Sequence, residues 1–352
     1  MRIALATQGD QALLAIEVLS SMTRQGLLHP KECAQICIAL GTSQNVKIAA
    51  SSSSLHQALH DKFKTNIENE YLQAVDITYR YQRDVVGNVR GATCDPYRSI
   101  LYRMMEVTRT GGIKDRTKFF KGLCARIEPD FSQRSSIDLE QYLQRSRFIL
   151  ENMAFFKYTS AEELDAAIVA MEEVFTRAGI VVVDSITRDA ITRDAIRRDT
   201  TETELLGLTT PIGDSGKIGF DRLRTLAAFS TALSGLWHAK SYLRQQYGFS
   251  GSCGSTTTKS SENSSTVPKK VDGMDGRAFW ERNSTMVTTL DSEQAMLNMC
   301  CAFIELHEGL GSKVAAISGS GLLEGMPSTK GVKGGRVRKA PLNQSSRKRR
   351  KT

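Results

Sequence analysis

Two imidazoles stand four residues apart in His56-Gln57-Ala58-Leu59-His60, the spacing that places both on one face of a helix. A zinc-protease helix has this pattern, with a glutamate after the first histidine to act as base. Here Gln57 stands in that place, and no third ligand is identifiable. Cys33 and Cys37 repeat the spacing, with His29 close by, but Ile36 and Leu40 share their face. Cysteine is among the most buried residue types, so this pair reads as the inside of a helix that has turned a corner at Gly26–Pro30. Gly213-Asp214-Ser215-Gly216-Lys217 resembles the surroundings of a protease serine, and that chemistry needs histidine and aspartate partners on a β scaffold. It is also too short for a phosphate loop, which has four residues between its glycines and Ser or Thr after the lysine. These patterns assign no catalytic residue, metal or cofactor, and predict a protein that is not an enzyme.

Cations carry the other candidate chemistry. Lys114, Arg116, Lys118, Lys121 and Arg126 lie mostly off the apolar stripe Phe120, Leu123, Cys124 and Ile127, with Asp115 the one acid among them. Such a helix could touch DNA phosphates, although no interleaved aromatics offer stacking. Arg338, Lys339 and the run Arg347, Lys348, Arg349, Arg350 and Lys351 read as a nuclear-import signal for an import receptor. The net charge of +9 resides there: residues 330–352 hold ten Lys/Arg and no acid, and the rest holds 37 basic against 38 acidic residues. The seven cysteines are odd in number and form no CxxC pair, which fits reduced thiols. No run approaches the length of a membrane span, so no membrane partner is expected.

Helices must position all of this. Apolar periodicity predicts them over 12–25, 30–40, 45–63, 68–86, 96–109, 114–127, 137–153, 160–178, 221–247 and 292–307. Ser160-x-x-Glu163 is a capping box, Gly26 and Gly41 are stops, and Pro30 and Pro96 suit first turns. Only Ile180–Val183 reads as a β-branched run, which a helix could absorb. Short breaks between helices imply antiparallel pairs, and stacked pairs make an all-α, HEAT-type α-solenoid. The expected organisation is a helical-repeat segment over 1–184 and a charged linker or exposed helix and loop over 185–220. A long solenoid-end helix over 221–249, a disordered Ser/Thr-rich linker over 250–268, a terminal helical segment over 269–308 and a disordered basic tail over 309–352 complete it.

Several stretches, in order, resemble the C-terminal region of the cohesin-loading factors, the adherin or Nipped-B-like sister chromatid cohesion proteins. They are RQGLLHPKECAQICIAL (24–40), the helix around Phe119-Phe120-Lys121-Gly122-Leu123, RFILENMAFF (147–156), DRLRTLAAFSTALSGLWHAKSYLRQQYG (221–248) and VPKKVDGMDGRAFWERN (267–283). The resemblance covers roughly residues 10–305. It implies a non-enzymatic scaffold that contacts the cohesin ATPase heads, the kleisin subunit and chromatin DNA in the nucleus, and stimulates cohesin's ATP hydrolysis. Family members are far longer. The chain is therefore expected to be a C-terminal piece without the amino-terminal region that binds the loader's small partner subunit. A solenoid end would also expose an apolar face near Leu14, Val18 and Met22, with poor solubility as the consequence. Composition alone fits equally a generic helical-repeat adaptor without a DNA function.

Overall fold

The structure, a computed structural model, describes residues 5, 9–109, 112–131, 138–205, 219–248, 270, 276–286 and 288–319; residues 190–205, 289 and 310–319 are described through their backbone alone. Residues 1–310 form one compact unit and 311–352 a second. Eleven α-helices occupy most of the described chain: α1 Asp10–Arg24, α2 Pro30–Leu40, α3 Val46–Glu68, α4 Tyr71–Tyr81, α5 Tyr102–Thr108, α6 Ile113–Ala125, α7 Leu139–Phe155, α8 Ala161–Leu205, α9 Phe220–Gln246, α10 Arg277–Ser284 and α11 Glu293–Gly319. Between α4 and α5 lies one antiparallel hairpin, β1 Ala92–Cys94 and β2 Tyr97–Ser99, in which Thr93 faces Arg98.

Local chemistry sets most boundaries. Gly26 follows α1 at φ 73°, a left-handed conformation that favours glycine. Pro30 opens α2, and the His29 ring accepts from the Lys31 amide. The Asn45 carbonyl caps α3, and the Asp138 carboxylate caps α7. At α8 the capping box takes a modified form. Ser160 Oγ accepts from the Glu163 amide as expected, while Glu163 Oε2 reaches one residue further back, to the amide and hydroxyl of Thr159.

Helices pack on near neighbours in the chain: α2 on α3 and α4, α6 on α8, and α9 on both α7 and α8. This is the all-α solenoid of antiparallel helix pairs that the sequence predicts. Its interior includes the end of α7, where every residue from Ser146 to Phe155 is buried. α9 answers with Leu226, Phe229, Leu233, Leu236 and Leu243, all buried, each burial being worth about 1.5–3 kcal/mol. At the other end Ala12, Ile16 and Leu19 turn inward from α1, and Leu14 and Val18 are 62% and 48% exposed.

Four expectations change, and one open alternative, the β-branched run 180–183, is decided. Pro96 starts no helix: it sits in the turn of the hairpin, and the helix begins at Tyr102. Strands of three residues are too short to show a period of two, so proline's value as a helix starter prevailed in the sequence reading. The β-branched run 180–183 lies inside α8. The helix expected over 68–86 is α4 and then a π-helical turn, Gln82–Val86, closed by Gly87 at φ 73°. α3 passes the expected stop at 63 and marks it only as a kink at Phe63. The backbone of α11 is helical through Gly319, beyond 308, where the terminal helical segment was expected to end.

Candidate interaction surfaces

α6 presents its five cations in two ways. Lys114, Lys118 and Lys121 are exposed. Lys118 Nζ donates to Asn69 Oδ1 at 3.2 Å, and Lys121 Nζ pairs with Glu173 of α8 at 3.0 Å. Arg116 and Arg126 are more enclosed and act as ties between helices. Arg116 Nη1 lies 3.4 Å from Glu163 Oε2 and donates to Thr159 Oγ1 at 3.1 Å. Arg126 pairs with Asp76 of α4, and Arg145 of α7 reaches the same carboxylate at 2.7 Å. Gly122 lets α6 approach α4, since a Cβ there would come within 2.3 Å of Leu72.

A second polar cluster has no counterpart in the sequence reading. Glu151 of α7 is 0% exposed. Its carboxylate accepts from the Gly91 amide at 2.7 Å and from Asn283 Nδ2 at 3.2 Å, and pairs with Arg90 Nη2 at 2.8 Å. Burial pushes its pKa up, and Arg90, the Gly91 amide, Arg147 and Asn283 act against that shift. The Arg90 guanidinium also stacks 3.5 Å over Trp280 and donates to Ser284 Oγ at 2.7 Å. Next to it, Asn152 Oδ1 accepts from Ser99 Oγ at 2.6 Å and from the Leu101 amide at 3.2 Å. The root of the hairpin, α7 and α10 are thus joined through one buried carboxylate and one buried amide. The readable signal was Glu151-Asn152 inside the apolar run RFILENMAFF: polar residues at core positions need partners.

The remaining candidates turn inward. Cys33 and Cys37 are fully buried; Thr23 Oγ1 donates to Cys33 Sγ at 3.4 Å. Contact with Cys33, together with burial, raises the Cys37 thiol well above its ordinary value. His56 and His60 are also buried. His56 Nε2 meets the Tyr71 hydroxyl at 3.3 Å, and His60 Nε2 lies 3.7 Å from Glu68 Oε1. Burial, with His60 nearby, lowers the pKa of His56 to about 3. No group of three or more potential metal ligands exists among the described residues. The segment Gly213–Lys217, Cys253 and the tail cations Arg338, Lys339 and Arg347 to Lys351 lie outside the described residues.

Comparisons with known proteins converge. Residues 1–174 match the family model described as "Sister chromatid cohesion C-terminus". Nipped-B-like protein B of Danio rerio is 24% identical over 161 residues, 45% of this chain and 5% of that protein. Nipped-B-like protein A of the same organism is 26% identical over 157 residues, 42% of this chain and 6% of its own length. The solved structure described as "Chaetomium thermophilum cohesin loader SCC2, C-terminal fragment" is 33% identical, with a TM-score of 0.69, over 87% of this chain and 20% of that one. The chain therefore spans about a twentieth of these curated relatives and a fifth of the solved chain. In sequence and in fold, it matches the C-terminal region of the cohesin-loader family.

Proposed function

We propose that this chain works as the C-terminal part of a cohesin loader, as a nuclear, non-enzymatic helical scaffold that contacts cohesin and chromatin DNA and stimulates cohesin's ATPase. The observation that carries the reading is the 33% identity and TM-score of 0.69 to a cohesin-loader C-terminal fragment over 87% of the chain. The test is direct. The 352-residue chain is mixed with cohesin ATPase heads, kleisin and duplex DNA, and complex formation and ATP hydrolysis are measured. Association with heads or kleisin and a rise in hydrolysis are expected. The absence of both association and any change in rate would sink the proposal.

Within that reading, the DNA-facing cations of α6 narrow to Lys114, Lys118 and Lys121, because Arg116 and Arg126 tie helices together. The tail cations contact an import receptor and add salt-sensitive DNA affinity that needs no fold. The 352-residue chain with its ten tail cations changed to Gln separates the two contributions. Changing Lys114, Lys118 and Lys121 to Gln on that background should reduce the slope of log affinity against log salt by about 3. One observation favours the second reading, a peptide-binding adaptor without a DNA function: Glu173 neutralises Lys121, and Glu163 and Asp76 neutralise the two arginines. An unchanged slope would move the proposal there.

A further inference from the structure

Several arginines of the described chain answer an acid: Arg83 meets Asp84, Arg90 Glu151, Arg177 Glu128 and Arg222 Asp189. Arg98 and Arg103 meet an aromatic ring instead. Neither forms an ion pair among the described residues, yet both guanidiniums gather on one ring: Arg98 lies 4.0 Å and Arg103 5.2 Å from the centroid of Tyr102. The ring face draws each cation, and the two cations repel each other. An arriving anion would relieve that repulsion.

The supporting backbone is rigid. Residues alternate along β2, so Tyr97 and Ser99 turn inward and Arg98 turns out. Tyr97 stacks on Phe155 with centroids 5.5 Å apart, and Ser99 bonds to Asn152. Thr93 Oγ1 donates to the carbonyls of Pro96 and Arg98, at 2.6 and 3.3 Å. A Cβ on Gly91 would lie 2.0 Å from the Phe148 carbonyl oxygen, so the hairpin's root is pressed against α7. Arg98 is exposed and Arg103 half-exposed on this base.

We propose that Arg98 and Arg103, aligned by Tyr102, form a docking site for a phosphoserine- or phosphothreonine-bearing acidic peptide of a protein partner. Two guanidinium forks match the charge and the three acceptor oxygens of one phosphomonoester, where a carboxylate brings a single charge and two oxygens. Duplex DNA fits less well. It needs a track of cations, and this site offers two. A peptide presents its phosphate singly.

The test uses the 352-residue chain with its ten tail cations changed to Gln, at near-physiological salt. Fluorescence anisotropy would follow an acidic pentapeptide with a central phosphoserine, the same peptide unphosphorylated, and a short DNA duplex. The phosphopeptide should bind more tightly than its unphosphorylated form, and the Arg98→Ala, Arg103→Ala double variant should weaken it by about 10-fold or more. Arg98→Lys with Arg103→Lys keeps charge but loses the forks, and should fall between. Thermal melting followed by circular dichroism should not move, because both side chains lie at the surface. Equal binding of the two peptides, or no loss in the double alanine variant, would overturn the proposal. So would a parallel loss of duplex affinity, which would make the pair a DNA contact instead.

Discussion

The outer α6 face and the Glu151 cluster both bring a cation to a carboxylate, with different consequences. At α6 Lys121 and Glu173, each about half exposed, bridge neighbouring helices near solvent. Water and salt screen such pairs, so they hold little and exchange partners readily, which suits a surface that meets other molecules. Around Glu151 water is excluded, and every oxygen of the carboxylate is answered by Arg90, Gly91 or Asn283. A charge so placed costs several kcal/mol to desolvate, and it persists only while its partners do. One region can therefore lose a residue and keep the fold. The other joins segments that are 194 residues apart in the chain, as Arg90 and Ser284 are.

Four experiments can break or sharpen this contrast. The largest effect is expected from Arg90→Ala, which leaves Glu151 buried without its cation and should cost about 3–5 kcal/mol in urea unfolding. A loss below 1 kcal/mol, by the usual ~1 kcal/mol scale of exposed pairs, would place the cluster with the surface pairs. Next is Gly91→Ala, whose methyl would collide with the Phe148 carbonyl; overpacking of this kind costs up to about 3 kcal/mol, read from the same unfolding curves.

The third effect concerns pH. His56 is a base whose folded pKa, about 3, lies below its ordinary value of 6.5. The unfolded chain therefore binds the proton first. The stability that His56 contributes is complete above 6.5 and drains as pH falls toward 3. Between pH 7 and pH 5 the wild type should lose about 2 kcal/mol more than His56→Gln, at about 1.4 kcal/mol per pH unit below 6.5. Equal losses in the two proteins would remove His56 from the account. The smallest effect is expected from Lys121→Ala, within about 1 kcal/mol, with thermal melting as the check.

Legibility followed from range. α6 could be read because its stripe, Phe120, Leu123 and Cys124, repeats within thirteen residues and buries as predicted. The capping box at Ser160 and the first turn at Pro30 were legible for the same reason, since a cap involves neighbours three residues away. Cys33 and Cys37 were correctly read as core from Ile36 and Leu40 beside them. The hairpin was hidden because its register depends on three pairs across a two-residue turn, and because its stability comes from α7 beneath it. Asn152 and Glu151 supply partners to Ser99, Leu101 and Gly91 from more than fifty residues away. Nor does sequence show that Asp76 draws Arg126 and Arg145 together, which removes Arg126 from the solvent face assigned to it.

The sequence by itself determined the fold class, most of the helices, the inward face of those with a clear stripe such as α6, and the resemblance to cohesin loaders, because periodicity and caps act within one or two turns. Tertiary structure alone decided which cations pair with neighbouring helices and which stay exposed. Coulomb attraction depends on distance in space, and Arg116 beside Glu163 and Arg98 beside Tyr102 are distinguished only by what the fold sets next to each.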